Sequence, residues 1–358
     1  AERCGRRDGA DLRGPARKQN GTEDYQMTPR QRFLRVLNFE KPDDRLPMVE
    51  WAAWWDQTLN RWKTEGLPGD LTWDQSLAYF GLDPLVNINA APVGVGLPQP
   101  ASHGAGVLNA DRTYDDVRQF LFTDALVESA VAQAKALKAR HDAGDICVRL
   151  WLDGYFWFPR RLFGIEEHLF AFFDQPDLMH RMNRDLAEFN VRVIEALFPI
   201  LEPDMVGFAE DMSYNNGPML SGEQFREFLM PYYRMVIPHI KARGVKVLVD
   251  SDGDITSMIP WLLDAGLEGV YPLERQAGVD IGAIRRRYPR FLMLGGYDKM
   301  VMSRGEEAMR QEFERILPVM CSGGYIPSVD HQTPPGVSLD NYRTYMRLFE
   351  EFAITAAH

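Results

Sequence analysis

Two hydrophobic patterns alternate along this chain. Short aliphatic runs, many of them β-branched, recur at residues 46–50, 85–89, 146–152, 204–209, 245–249, 267–273, 291–294 and 325–329. Runs of this kind predict strands buried on both faces. Between most of them, apolar residues return at helical spacing, at residues 124–141, 165–173, 178–198, 221–243 and 341–352, and a helix-like segment precedes each of the last three runs. A first helix opens at Thr28-Pro29-Arg30-Gln31 and runs to about Asn38. Thr28 suits the N-cap, Pro29 the first helical position and Gln31 the reciprocal capping-box site. Residues 92–111, rich in Gly and Pro, give only a weak strand or hairpin pattern. Strands that alternate with helices predict an α/β fold, a single (β/α)8 TIM-type barrel with an N-terminal helical extension. An open doubly wound sheet would carry a glycine fingerprint after its first strand, and none is present. No internal repeat or low-complexity linker marks a second domain. Residues 27–358 are therefore read as one barrel domain. Residues 1–26, rich in Arg, Gly and Asp, are read as a disordered tail or as sequence upstream of the natural start.

Composition narrows the setting. Hydrophobic residues make up 45% of the 358, enough for one large core. The formal net charge of −11 argues against nucleic acid or an anionic membrane as the main partner. No apolar run approaches the roughly 18 residues that span a bilayer, and residues 1–24 lack the apolar segment of a signal peptide. Cys4, Cys147 and Cys321 are widely spaced and odd in number, which suits a reducing cytosol and offers no C-x-x-C metal knuckle. A cytoplasmic protein is the expectation.

The richest chemistry follows the fifth run, Val245-Lys246-Val247-Leu248-Val249-Asp250-Ser251-Asp252-Gly253-Asp254. On extended chain, Asp250 and Asp252 project to the same side about 6–7 Å apart. Gly253 then permits a sharp turn, and Asp254 suits a cap for the segment after it. In a parallel barrel the strands' C-terminal ends share one opening, where the chemistry sits. Those ends are Glu50, Asn87 and Asn89, Asp153, Glu210 and Asp211, Asp250 and Asp252, Glu274, Asp298, Asp330 and His331. Two carboxylates about 6 Å apart repel by roughly 3 kcal/mol at an effective dielectric near 20. Such a rim needs arginines, a bound cation or raised pKa values. Glu274-Arg275 also reads as a local ion pair and Asp298 as an ordinary loop residue. His331, after a strand and ahead of Pro334-Pro335, is the candidate acid or ligand among the histidines. His168 and His239 fall in helical segments and read as structural or solvent-facing. Aromatic clusters follow the first run (Trp51, Trp54, Trp55) and the third (Tyr155, Phe156, Trp157, Phe158). They serve either as core packing or, with Arg160 and Arg161 adjacent, as the walls of a pocket for a flat ligand with an anionic substituent.

Several segments together resemble the uroporphyrinogen decarboxylase superfamily. They are Met27-Thr28-Pro29-Arg30-Gln31-Arg32-Phe33 with Lys41-Pro42-Asp43, Glu210-Asp211-Met212-Ser213-Tyr214 through Gly217-Pro218, and Asp250-Ser251-Asp252-Gly253. Leu294-Gly295-Gly296 and Gly323-Gly324-Tyr325 through Asp330-His331 to Pro334-Pro335 complete the set. The similarity covers residues 27–352 and implies a single (β/α)8 barrel. The superfamily contains heme-pathway decarboxylases and corrinoid-dependent methyltransferases. The decarboxylases carry an Arg-Gln-Ala-Gly-Arg segment after their first strand, whose arginines hold substrate carboxylates. Here that place reads Glu50-Trp51-Ala52-Ala53-Trp54-Trp55, without arginine. Their pyrrole-binding aspartate after the second strand is replaced by Asn87 or Asn89. The thiol-methylating branch binds zinc through a His-x-Cys pair on strand five and a Cys after strand eight. Those positions are Asp250, Asp252 and Asp330 here, and carboxylate oxygen is a harder donor than thiolate.

The resemblance, with these departures, implies a corrinoid-dependent methyltransferase acting as a demethylase. It would move a methyl group from a small methoxylated or N-methylated compound to a corrinoid (cobalamin) on a separate protein. Glu210, Asp250, Asp252 and His331 would form the acid or metal centre, with Asp250, Asp252 and His331 as ligands of a divalent metal such as zinc. Trp51, Trp54, Tyr155, Trp157, Arg160 and Tyr214 would bind the substrate. A homodimer is left open. The alternatives are a carboxy-lyase acting on a porphyrinogen or a smaller acid, and a barrel that only binds its ligand or partner.

Overall fold

The computed structural model describes residues 26–52 and 54–358; Cys4 and the tail read at residues 1–26, save Gln26, lie outside them. Seven strands form one parallel sheet in chain order. They are β1 (Leu85–Ala90), β2 (Cys147–Asp153), β3 (Met205–Ala209), β4 (Lys246–Asp250), β5 (Gly269–Tyr271), β6 (Leu292–Tyr297) and β7 (Tyr325–Val329). The sheet curls into a TIM-type α/β barrel, with helices in the crossovers between successive strands. Every residue of β3, β6 and β7 is buried, as expected where both faces of a parallel sheet are covered.

The first predicted strand differs. Residues 46–50 are buried and extended but join no ladder. They bridge the two edges of the sheet, where an eighth strand would close it. Asp83, just before β1, donates its N–H to Met48 O at 2.7 Å, and Trp51 Nε1 donates to Val329 O at the end of β7 at 3.0 Å. Pro47 supplies the reason: it has no N–H for a ladder, and the next N–H, of Met48, goes to the Asp83 carboxylate at 2.9 Å.

The strands' N-terminal ends are sealed by the first helix, Pro29–Leu37, which carries the predicted Thr28–Gln31 capping box. Its buried Arg32 pairs with Asp44 at 2.6 Å and Asp83 at 3.0 Å, and Arg30 with Asp204 at 2.7 Å. Four helices fall where none was predicted: Asp56–Thr64, Trp73–Phe80, Tyr114–Arg118 and Trp157–Phe163. A two-stranded hairpin, Ser213–Tyr214 with Gly217–Pro218, follows β3. No helix among the described residues is long and apolar enough to cross a membrane.

Candidate active site at the barrel mouth

Register sets the level of the rim. Asp153, Ala209, Asp250 and Tyr271 are successive neighbours across β2 to β5, so the residues just after them ring one opening. Three side chains from separate loops converge there. One ligand atom each from Asp252, Glu274 and His331 lies within 4.8 Å of the other two. His331 Nε2 stands 3.6 Å from Asp252 Oδ2, with both side chains partly exposed. Glu274 Oε2 also accepts the Gly253 N–H at 2.9 Å, which ties the β4 and β5 loops together. Among the described residues neither Asp252 nor Glu274 pairs with a lysine or arginine.

The backbone is bent to make this meeting. Leu273 and Asp211 adopt φ of 64° and 48°, left-handed conformations that side-chain-bearing residues rarely enter. Such residues cost about 1–3 kcal/mol each and persist where the surroundings enforce them. Leu273 immediately precedes Glu274. Gly253, at φ 81°, packs on the Tyr214 backbone, where a Cβ would come within 2.5 Å.

Asp330 acts as a clip beneath the triad. It is fully buried, and its carboxylate accepts the Arg275 N–H at 2.9 Å and Lys299 Nζ at 3.2 Å. Arg275 follows Glu274 and Asp330 precedes His331, so one buried carboxylate fixes the spacing of two members of the triad. The neighbouring Asp252 carboxylate raises the His331 pKa through a hydrogen bond and its charge. Asp250 ends β4 just below. Burial, then the charge of Asp252, push its carboxyl up to about 8.

Below the triad the barrel interior is aromatic. The Trp51 ring meets His331 edge-on at 5.8 Å and Tyr271 at 5.6 Å. Arg149, on β2, lies over the rings of Trp151 at 4.4 Å and Tyr271 at 5.0 Å, and its Nε donates to Asn87 Oδ1 at 2.8 Å.

Comparison with known proteins places this architecture. Residues 162–352, more than half of the chain, match the family model described as uroporphyrinogen decarboxylase (URO-D). The chain belongs to this family. Among solved structures, a methyltransferase from Methanosarcina mazei shares the fold with a TM-score of 0.61 at 14% sequence identity, covering 91% of this chain and 99% of that one. No curated protein matches.

In this uroporphyrinogen decarboxylase family barrel the predicted site residues divide. Asp252 and His331 meet at the rim with Asp250 adjoining. The third member of their cluster is Glu274, whose expected partner Arg275 instead donates through Nη1 to Val279 O at 3.3 Å. Trp51 stands against His331. Glu210 is fully buried behind the rim. Its carboxylate accepts the N–H groups of Tyr155, Phe156 and Trp157 at 2.8, 2.7 and 3.1 Å, and the Tyr233 hydroxyl. Burial pushes its pKa up to about 7 against the pull of those four donors, and the geometry makes it an internal anchor for the turn after β2. Tyr155 is packed between Phe208 and Tyr233. Trp54 belongs to a cluster with Trp62, Trp73, Phe80 and Tyr342. Arg160 covers the Trp157 ring at 5.6 Å and donates to Asp211 O at 3.0 Å, while Tyr214 is exposed at the hairpin.

Other rim candidates turn away from the opening. Glu50 is buried against Tyr342, Asn89 bonds through its backbone to Gln133 on the outer helix, and Asp153 pairs with Arg161. Asp298 caps the turn at Met300, and Asp254 caps Thr256. His168 is buried between Phe156 and Phe172, and burial depresses its pKa to about 3. Arg149 and Tyr271 were missed by sequence reasoning. The signal for Arg149 was present: a charged residue in the middle of an otherwise apolar strand, Cys147–Asp153.

Proposed function

We propose that this chain is a cytoplasmic methyltransferase that removes a methyl group from a small methoxylated or N-methylated compound and passes it to the cobalt of a separate corrinoid protein. The observation that carries the reading is the convergence of Asp252, Glu274 and His331 at the mouth of a URO-D family barrel. Two carboxylate oxygens and an imidazole nitrogen, with no lysine or arginine paired to the acids among the described residues, fit a divalent cation such as zinc. A cation held there by Asp252, Glu274 and His331 would supply Lewis acidity to the oxygen or nitrogen that the methyl group leaves.

The chain's own groups do the remaining work. Asp252 orients His331 and favours its charged form, so that Nε2 holds a proton at the rim for the leaving atom when no cation occupies the cluster. The Trp51 indole gives a flat apolar wall beside His331 and keeps water from that side. Partial exposure of Asp252 and His331 leaves the opposite side accessible to an acceptor carried on another protein.

The test is metal analysis of the purified protein, followed by methyl transfer to cobalamin from a panel of methoxyaromatics and N-methyl compounds. A stoichiometric divalent cation, lost in Asp252→Asn and His331→Ala together with methylcobalamin formation, is the expected result. Inactivity across the panel counts against it. The name of the matching family supports a second reading, a carboxy-lyase acting on a porphyrinogen or smaller acid. CO2 release with neither metal nor cobamide present selects that reading.

A further inference from the structure

Arg149 is 2% exposed, and Tyr271 is fully buried beside it. Among the described residues Arg149 Nη1 and the Tyr271 hydroxyl make no well-aligned hydrogen bond, although the guanidinium and the hydroxyl interact with each other. The other guanidinium nitrogens reach only neutral acceptors, Asn87 Oδ1 at 2.8 Å and Trp51 O at 3.5 Å. Among the described residues no carboxylate lies within ion-pair distance of Arg149, although the charge of Asp250, at the end of β4, acts on it and on Tyr271. Arg32, the other deeply buried arginine among the described residues, shows the contrast, since two aspartates neutralise it. The adjoining rings of Trp151 and Tyr271 compensate a buried positive charge only in part. Two orphaned donors, and a charge with no carboxylate in direct contact, call for an acceptor, and for one that is negative.

The position of the pair gives it a use. Gly207 on β3 leaves room for the Tyr271 hydroxyl, which would stand 2.1 Å from a Cβ at that position. Trp51 separates the pair from the rim: its carbonyl touches Arg149, and its ring touches both Tyr271 and His331. A planar molecule seated along Trp51 would have one end at Arg149 and Tyr271 and the other at Asp252, Glu274 and His331.

We propose that Arg149 Nη1 and the Tyr271 hydroxyl form a carboxylate-binding subsite, so that the methyl donor is a small aromatic acid bearing its methoxy or N-methyl group at the far end. This rests on the methyl-transfer reading for the far end only. The rings over the subsite must yield as the acid enters, which makes tryptophan fluorescence a direct readout.

The experiment titrates the protein with 4-methoxybenzoate and with its methyl ester, the same ring without the charge. The acid is expected to bind at least about tenfold more tightly. Arg149→Met and Tyr271→Phe should each lower affinity for the acid by about fivefold or more and leave the ester unchanged. Tyr271→Phe removes a hydroxyl that makes no well-aligned hydrogen bond, so its Tm should match or exceed that of the wild type, and it serves as the test even where Arg149→Met fails to fold. Equal affinity for acid and ester, no binding of the acid, or unaltered acid binding by Tyr271→Phe overturns the subsite. Arg149-dependent binding without methyl transfer upholds the subsite and defeats the methyl-transfer reading. Transfer from the ester as fast as from the acid does the reverse.

Discussion

Glu50 stands in the sequence as a rim acid, yet it is buried in the core, where it accepts the Tyr342 hydroxyl at 3.1 Å and lies beside the Trp54 indole. Burial pushes its pKa from 4.5 up to about 8. A raised value means that the native state holds a proton that the unfolded chain releases. Its contribution to stability is therefore complete below about pH 4.5 and is lost as pH rises through about 8. At about 1.4 kcal/mol per unit, the full loss is about 5 kcal/mol, of which about 3 kcal/mol falls between pH 5 and pH 8. Glu50→Gln keeps the shape and an acceptor for Tyr342 but cannot ionise. Urea unfolding of both proteins at about pH 5 and about pH 8 isolates the effect, because every other titrating group cancels in the difference. The advantage of the variant over the wild type should grow by about 3 kcal/mol across that interval. Parallel pH profiles would refute the reasoning, since they mean that Glu50 titrates alike in the folded and unfolded chain.

Two further outcomes test the scaffold of the site. Gly154→Ala puts a Cβ 2.1 Å from the Glu210 carboxyl carbon and should cost about 3 kcal/mol or more in thermal or urea unfolding; a loss under about 1 kcal/mol would show that Glu210 is free to move. Asp330→Asn keeps an acceptor for one loop but drops the charge that holds Lys299, so divalent-cation affinity at the rim should fall by about tenfold or more in a calorimetric titration while the chain stays folded. Unchanged affinity would mean that the spacing of Glu274 and His331 is set elsewhere.

Most of the barrel was legible because its strands are buried on both faces and therefore appear as unbroken aliphatic runs. Seven of the eight expected runs became ladder strands. The exception was decided by one atom: Pro47 lacks the hydrogen that a strand at residues 46–50 would need. The missed helix Trp73–Phe80 had its markers in view, with Thr72 and Gln75 forming a capping box and Gly81 ending it in the left-handed conformation. Aromatic crowding around Trp54 and Trp73 hid the helical spacing. Trp157–Phe163 was harder to see, because the N–H of its first residue and those of the two residues before it are satisfied by Glu210, a residue from another strand.

The candidate site was legible to the strand end and no further. A position at the C-terminal end of a strand fixes which loop a residue enters, and Asp252 and His331 were found on that ground. It does not fix where the loop sends the side chain. Glu210 and Asp211 are adjacent in sequence, yet one turns into the core to accept four donors while the other enters a left-handed conformation beside Arg160. Glu274 reaches the rim because Leu273 is held at φ 64° and Asp330 captures the N–H of Arg275, constraints that come from segments far away in the chain. The same limit applies to Arg149. A lone arginine in a strand is visible, but the lack of a carboxylate in direct contact with it exists only once β1, β3 and β5 have closed about it. Acidic residues at a barrel rim are therefore a weak guide taken singly. The stronger sign is one that only the folded chain displays: donors and acceptors left unmatched along the two ends of a single aromatic wall.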